Sequence, residues 1–166
     1  NNAALSFDSG SIGIAGLDSE GQYSLTLYGD YTVDKYGDGK GSDVELRGII
    51  HNAGQATLID DVESTGYYST WRNLESSSLT IEDGGFSMNL NSQGQLINDE
   101  GAIVTVAKGV VSNISWDIQN SGSIHLETES SLYTSGDFVN YGKLVISEGA
   151  KLNLSNELSS SGLIVI

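Results

Sequence analysis

The stretch that decides the fold runs from Ile118 to Ile166 and contains QNSGSIHL (119–126), VNYGKLVI (139–146) and SSSGLIVI (159–166). Each segment has Asn or Ser, then Gly two residues later, then two aliphatic residues that are two apart. The first positions of the motif are Asn120, Asn140 and Ser160, so the repeat is 20 residues long. A fixed period of this length is typical of stacked repeats.

The same register continues upstream to Asn98, Asn73 and Asn52, at gaps of 22, 25 and 21 residues. We call these six residues the ladder positions. The residue two before each ladder position is always apolar, in a chain that is 38% hydrophobic. These apolar residues are Ile50, Trp71, Leu96, Ile118, Phe138 and Leu158.

The paired aliphatic residues after each ladder position are also predicted to face the core. They stand four and six residues downstream in the regular repeats, as in Ile124 and Leu126. After Asn98 the pair is placed at Ile103 and Val106, and after Asn73 at Leu79 and Ile81, because corners absorb small insertions.

Alternation of apolar and polar residues over three to five positions predicts strands with one buried face. Three such strands per repeat predict an all-β fold, a single-stranded parallel β-helix (β-solenoid) of about seven coils. Right-handed winding is expected from the usual hand of parallel crossovers. Stacked Asn amides are expected to hydrogen-bond along the axis, and the Gly two residues later is expected to supply a positive φ.

The repeat predicts one solenoid domain over residues 1–166, with irregular first coils in 1–48 and regular repeats in 49–166. The segment SLTLYGDYTVDKYG (24–37) echoes SLYTSGDFVNYG (131–142). That alignment places Asp34 at a ladder position before Asn52.

Composition excludes several classes of function. The chain has no Pro, 22 acidic and seven basic residues, and a net charge of −15. This charge disfavours nucleic acid and anionic lipid as partners and favours a divalent cation. Cys is absent, so there is no disulfide or thiol chemistry. No apolar run approaches the roughly 18 residues that a membrane span requires.

Asp34 to Glu45 (DKYGDGKGSDVE) has the spacing of a calcium loop. Asp34, Asp38, Ser42 and Glu45 occupy ligand positions of the EF-hand pattern, whereas Tyr36 stands where an oxygen ligand is usual. Two interpretations remain open at this point, a calcium site and a polar corner insertion.

Two further patterns concern sugars. Tyr67 and Tyr68 are candidates for an aromatic glycan-binding platform, while Trp71 is predicted to be core because its offset is apolar in every coil. Asn113-Ile114-Ser115 and Asn153-Leu154-Ser155 are N-glycosylation sequons. Both Asn113 and Asn153 are predicted to face solvent, because they alternate with inward residues.

Catalysis is not predicted, and no catalytic residue is assigned. Asp60 and Asp61 resemble the paired acids of polysaccharide hydrolases, but neighbours in a strand point to opposite faces. No Ser/His/Asp arrangement, phosphate-binding loop or zinc spacing is visible. Ice binding would require ranks of Thr, and Thr80, Thr105 and Thr128 do not share one offset in the sequence.

The repeated Asn-x-Gly-x-aliphatic units resemble those of microbial surface adhesins. These are the β-helical domains of fungal hyphally regulated cell-wall proteins and of bacterial filamentous-haemagglutinin or autotransporter passengers. The resemblance implies an extracellular, non-catalytic stalk, coat or adhesin at the cell surface.

The segment Gly162 to Ile166 ends the sequence in mid-coil with an apolar edge, which is a template for further strands. We therefore expect end-to-end stacking with other copies or further coils of a longer chain. The first expectation is a self-associating structural subunit of a filament, sheath or coat. The alternatives are an adhesin that binds glycans and a polysaccharide-degrading enzyme.

Overall fold

The fold is a parallel β-solenoid. The computed structural model describes residues 7–8, 12–13, 24–33, 35–36, 44–88 and 93–166. In these ranges there is no helix, and every strand pairing is parallel. The all-β solenoid with three strands per coil is therefore confirmed. The described chain makes about six turns, since seven strands stack in its most regular sheet, and the predicted first coils fall largely outside the described residues.

The strands are short, and most have three to five residues. In chain order they are β1 (Phe7–Asp8), β2 (Ile12–Gly13), β3 (Ser24–Leu27), β4 (Asp30–Val33), β5 (Lys35–Tyr36), β6 (Val44–Asn52), β7 (Gln55–Leu58), β8 (Val62–Asn73), β9 (Ser78–Ile81), β10 (Phe86–Met88), β11 (Gly94–Asn98), β12 (Ile103–Val106), β13 (Val111–Ile114), β14 (Asp117–Asn120), β15 (Ser123–Leu126), β16 (Ser131–Thr134), β17 (Phe138–Asn140), β18 (Lys143–Ile146), β19 (Lys151–Leu154), β20 (Leu158–Ser160) and β21 (Leu163–Val165).

Three walls surround the core. The first wall ends at the ladder positions and stacks β3, the second halves of β6 and β8, β11, β14, β17 and β20. The second wall stacks β4, β7, β9, β12, β15, β18 and β21. The third wall stacks β2, the first halves of β6 and β8, β10, β13, β16 and β19. Strands β6 and β8 run through a corner and join the third wall to the first, and β1 pairs with β5 separately.

The core consists of columns of apolar side chains, one from each inward position of a wall. The predicted column from Ile50 to Leu158 is in register through successive pairings of the first wall. Its members are buried, except Leu158, which is partly buried. Burial of each such side chain contributes roughly 1.5–3 kcal/mol. The alternating pattern that predicts the strands is therefore also the pattern that forms the core.

One inward pair differs from the prediction. After Asn98 the buried residues are Val104 and Val106, whereas Ile103 is 40% exposed. Val104 pairs with Leu79 and Ile124, so the corner after Asn98 has two additional residues, as the corner after Asn73 does. The placement of Ile103 in the core was wrong because the corner is one residue longer than predicted, so the first inward position is Val104; Val106 is buried, as predicted.

Ladder side chains form one continuous chain of hydrogen bonds along the axis. The Nδ2 of each Asn donates to the Oδ1 of the next, at 3.0 Å from Asn52 to Asn73, 3.3 Å from Asn73 to Asn98, and 2.8 Å from Asn98 to Asn120. Asn120 continues to Asn140 at 2.7 Å. All five Asn side chains are fully buried. Stacked primary amides therefore satisfy buried polar groups that would otherwise cost stability.

The two ends of this amide column are hydroxyl groups. Tyr31 donates its O–H to Asn52 Oδ1 at 2.8 Å, and Asn140 Nδ2 donates to Ser160 Oγ at 3.1 Å. The residue opposite Asn52 in the preceding coil is Leu27. Leu27 thus holds the position that the sequence assigned to Asp34, which itself lies outside the described residues. The echo with residues 131–142 misplaced it because the two aligned segments lie in different walls: Ser24–Leu27 forms β3 of the first wall, whereas Ser131–Thr134 forms β16 of the third wall.

The glycine two residues after a ladder position has a different role from the one predicted. The described glycines with positive φ do not include Gly54, Gly122, Gly142 or Gly162. A Cβ on Gly142 would instead lie 2.0 Å from the carbonyl oxygen of Gly122, and one on Gly162 would lie 2.1 Å from that of Gly142. Glycine is therefore required here because successive coils approach too closely for any side chain.

Positive φ occurs at other corners. Gly109, Glu129 and Gly149 stand at the same place in successive coils, with φ of 73°, 63° and 72°. The N–H of Gly109 and of Glu129 each donates to the coil above, to Thr128 and Glu148. Glu129 thus adopts a left-handed backbone where its neighbours in the column have glycine, and this conformation costs a non-glycine residue about 1–2 kcal/mol.

The first prediction concerns the amide column. Asn98→Leu keeps the number and branching of the side-chain heavy atoms but leaves Asn73 without an acceptor and Asn120 without a donor. We expect a loss of about 3 kcal/mol in the free energy of unfolding, measured by urea denaturation, because buried groups become unsatisfied. Gln119→Leu, on the exposed face of the adjacent coil, is the control and should change it by less than about 0.5 kcal/mol. Equal losses in the two variants would refute the role of the column.

The second prediction concerns Tyr31, whose burial raises the pKa of its phenol above the ordinary value. The raised pKa in the folded state means that Tyr31 contributes stability below pH about 10 that is lost as pH rises above it. We expect the free energy of unfolding to fall more between pH 9 and pH 11 in the wild type than in Tyr31→Phe. Parallel pH profiles in the two proteins would contradict this.

The third prediction concerns Glu129. Glu129→Gly should raise the free energy of unfolding by about 1 kcal/mol, because glycine adopts positive φ without strain. Glu129→Ala removes the same charge but keeps the strain, so it isolates the backbone effect. If thermal denaturation shows the same midpoint for both variants, the gain comes from charge and not from the backbone.

Candidate functional site

The predicted calcium loop contributes little to the described structure. Asp34, Asp38 and Ser42 lie outside the described residues, and of Glu45 only the backbone, in β6, is described. Within the described ranges, no group of three or more His, Cys, Asp or Glu side chains is arranged to hold a metal ion. Calcium binding by this loop stays a prediction.

The predicted aromatic platform lies in β8. The backbone of Tyr67 and Tyr68 belongs to that strand, but their side chains are outside the description. Trp71, from the same stretch, is fully buried and donates its Nε1–H to Asn73 Oδ1 at 2.9 Å. Trp71 is therefore a core residue that also supports the ladder, as its offset predicted. Phe86 packs edge-on against it with ring centroids 5.8 Å apart.

Acidic side chains concentrate at the corners, whereas the flat walls are nearly neutral. Outward positions of the second wall hold one acid in the described strands, Asp30, at its first strand. The corner between the second and third walls is strongly acidic; among its residues are Asp60, Glu82, Asp83, Glu127, Glu129 and Glu148. Ligands that contact a wall therefore meet a weaker negative potential than ligands that contact a corner.

A rank of threonines lies on the second wall. Thr32, Thr57, Thr80 and Thr105 are register partners in four successive coils, followed by His125. Thr80 and Thr105 therefore do share one column, contrary to the spacing argument from the sequence. The adjacent outward column is mixed, with Gln55, Ser78 and Ile103, so there is no double rank of Thr. Thr–Thr neighbours suit the exposed face of a sheet.

The third wall carries two polar outward columns. The Asn residues of the two predicted sequons lie in one column, and their Ser residues lie in the other. Asn113, Tyr133 and Asn153 are register partners in β13, β16 and β19. Two residues further along, the backbone N–H groups of Ser115, Ser135 and Ser155 each donate to the preceding coil. Ser87 precedes them in line, because Phe86 pairs with Ile114. We call Ser87, Ser115, Ser135 and Ser155 the serine column.

The two sequon asparagines differ in exposure. Asn113 is exposed, as predicted. Asn153 is only half-buried instead of fully solvent-facing, and its Nδ2 is buried without a hydrogen-bond partner. Its register partner in the same outward column is Tyr133. Of the two acceptor sites, Asn113 is therefore the more accessible.

A groove of about 410 Å³ lies over these two columns. It is lined chiefly by the serine column, Asn113, Tyr133 and Asp61. Tyr133 is 44% exposed. The hydroxyl of Ser87 is buried beneath the groove and has no hydrogen-bond partner among the residues that the structure describes. Sequence reasoning missed this groove, although the pattern Asn/Tyr-x-Ser at 113, 133 and 153 with a period of 20 was available to find it.

Residues considered for catalysis are only partly brought together. The Asp60 carboxylate accepts a hydrogen bond from the backbone N–H of Asp61 at 2.8 Å, and Asp61 lines the groove. Arg72 donates its Nε–H to Asp99 Oδ2 at 2.8 Å, in an exposed ion pair. His125 lies on the second wall, away from these acids in register. The Asp60 carboxylate is therefore hydrogen-bonded at the corner, whereas Asp61 lines the groove.

The last coil has an apolar edge. Ile166 is 96% exposed and Leu163 is 58% exposed, while Ile164 and Val165 are each 39% exposed. Ile164 aligns with Leu144, which is fully buried one coil earlier. The N–H of Leu163 donates to Gly142. Because backbone groups alternate along a strand, the N–H of Ile164 points away from the stack.

Within the described part of the chain, no helical segment has the length and apolarity that crossing a bilayer requires. Comparison of the whole chain with protein-family models, with curated proteins and with solved structures found no match in any of the three.

Proposed function

We propose that this chain is a non-catalytic extracellular structural protein of a microbial cell surface, which extends by end-to-end stacking of its solenoid with other copies. The single observation that carries the proposal is the amide column, in which every coil presents the same donor and acceptor to the next coil. The resemblance of its Asn-x-Gly-x-aliphatic units to surface adhesins supports the extracellular location.

The edge supports stacking because it combines two requirements of a further coil. Ile164 offers an apolar side chain in line with a buried core column and a backbone N–H directed outward. Unpaired backbone groups beside apolar side chains are a template for another strand. A second copy supplies such a strand, and so does a further coil of the same polypeptide.

The amide column determines the relative orientation of two copies in this contact. Each ladder Asn donates to the ladder residue of the coil above, and the chain of donors ends at the exposed Ser160 hydroxyl. An acceptor in an added coil would continue the column. Because the donors all point the same way, such a contact is head-to-tail, and head-to-tail contacts that do not close produce open fibres.

The net charge of −15 opposes association and makes it dependent on salt. Acids repeat at the corners of every coil, so copies that approach end to end repel one another at low ionic strength. Ions at about 0.15 M limit this repulsion to about 8 Å. We therefore expect assembly to increase with ionic strength.

The fourth prediction tests the edge. Ile164→Lys places a charge at the core position of the terminal strand, where it should prevent pairing with another coil. Negative-stain electron microscopy and sedimentation velocity at about 0.15 M salt should show fibres for the wild type and monomers for the variant. Gln119→Lys makes the same change of charge on an exposed wall in mid-stack and should still form fibres.

Two outcomes would count against the proposal. Wild-type chains that remain monomeric across ionic strength would contradict end-to-end stacking. Release of reducing ends or unsaturated products from acidic polysaccharides would instead favour the enzyme alternative, for which Asp60 and Asp61 are the acids at hand. The adhesin alternative is favoured by a separate observation, the groove of the third wall.

A further inference from the structure

We infer that the groove of the third wall is a carbohydrate-binding site that takes a neutral glycan lying along the solenoid axis. This goes beyond the proposed structural role, and different residues carry it. Tyr133, Asn113 and the serine column face one depression on the third wall, whereas Ile164 lies on the second wall.

The size of the groove suits a short oligosaccharide. A volume of about 410 Å³ lies within the range of roughly 300–1,000 Å³ that small-ligand sites occupy. The groove crosses several coils, since its lining comes from β10, β13 and β16, from the residues that follow β13, β16 and β19, and from Asp61 before β8. A ligand that fills it therefore runs along the stack and contacts equivalent residues at intervals of about 4.8 Å.

The chemistry of the lining suits sugars. An exposed tyrosine ring offers an apolar face for a pyranose ring, and its hydroxyl is a donor and an acceptor. Asn113 offers an amide that donates and accepts, which matches adjacent hydroxyl groups of a sugar. Ser115, Ser135 and Ser155 of the serine column add one hydroxyl per coil. The hydroxyl of Ser87 is buried beneath the groove and offers no contact to a ligand.

Charge selects a neutral ligand over an acidic one. Asp61 is the charged residue among those that line the groove, and the neighbouring corner is acidic. A uronate or sulfate group would therefore be repelled. No cation lines the groove in the described structure to offset this repulsion. A neutral ligand contributes hydrogen bonds and ring stacking that depend little on salt.

The position of the two sequons on the third wall gives a structural explanation for their Asn-x-Ser spacing. Asn113 and Ser115 line the groove, and Asn153-Leu154-Ser155 repeats the same two outward columns two coils later. The Asn-x-Ser spacing is thus explained by alternate outward positions on one strand of the wall. A glycan attached to Asn113 would fill the groove, so occupancy of that sequon and binding of a free glycan exclude each other.

The test uses the full chain carrying Ile164→Lys, so that binding is measured on monomers whether or not the wild type assembles. Isothermal titration is performed with neutral hexaoses (cello-, chito-, manno- and xylo-oligosaccharides) and with oligogalacturonate as the acidic comparison. We expect at least one neutral hexaose to bind, with a Kd that changes less than twofold between 0.05 and 0.5 M salt. Oligogalacturonate should bind at least tenfold more weakly.

Variants then assign the site. Tyr133→Ala should weaken the hexaose by about tenfold, because ring stacking is lost. Tyr141→Ala is the matched control, since Tyr141 is 59% exposed at a corner of the same coil and does not line the groove. It should leave the Kd unchanged. Both positions are exposed, so the thermal midpoint should not move in either variant.

The inference is overturned if no neutral hexaose binds at millimolar concentration, or if Tyr133→Ala and Tyr141→Ala behave alike. Tighter binding of oligogalacturonate would also overturn it, because the argument from charge would then be wrong. None of these results bears on end-to-end stacking, which is tested by electron microscopy of the wild type. The glycan-binding proposal and the stacking proposal can therefore be refuted independently.

Discussion

Alignment of one amide per coil is the constraint on which the structure depends. A primary amide has both a donor and an acceptor, so a buried column of them is satisfied only when every coil places its Asn in line. Asn98 illustrates this, since it accepts from Asn73 and donates to Asn120. A shift of one residue in any coil would leave two buried groups unpaired and turn the apolar face outward. The column thus fixes the register as well as contributing to stability.

Close stacking at the ladder corner imposes a second requirement, which the glycines meet. Gly122, Gly142 and Gly162 lie where the backbone of one coil touches that of the next. Just before them, the carbonyl of the ladder Asn accepts two N–H groups from the coil above, as Asn120 does from Tyr141 and Gly142. A side chain at these glycines would push the coils apart and break these bonds. The ladder Asn and the Gly two residues later therefore belong to one corner, and close stacking of the coils there requires both residues.

The solenoid separates structural from exposed functions by position. Inward positions hold the core and the ladder, corners hold most of the acids, and outward wall positions hold neutral polar residues. The terminal edge is the place where coils can be added, whereas the walls keep the same composition whatever lies beyond the edge. This separation is why a stacking contact and a lateral glycan site can coexist on one chain. Tyr133 and Ile164 lie on different walls, so the two proposals rest on different residues.

The sequence by itself determined the period, the parallel solenoid, the first-wall core column and the ladder from Asn52 to Ser160. These features can be predicted from the sequence because they recur at fixed offsets, so the pattern found in one repeat locates the equivalent residues in the others. Tertiary structure alone decided the facing of Ile103, the place of Leu27 opposite Asn52, the steric role of Gly142 and the grouping of Asn113 with Tyr133. Each of these depends on corner length or on contacts between coils, which alternation along a strand does not encode. Residues 20 apart become neighbours only when the corners between them are known, and the groove exists only between such neighbours.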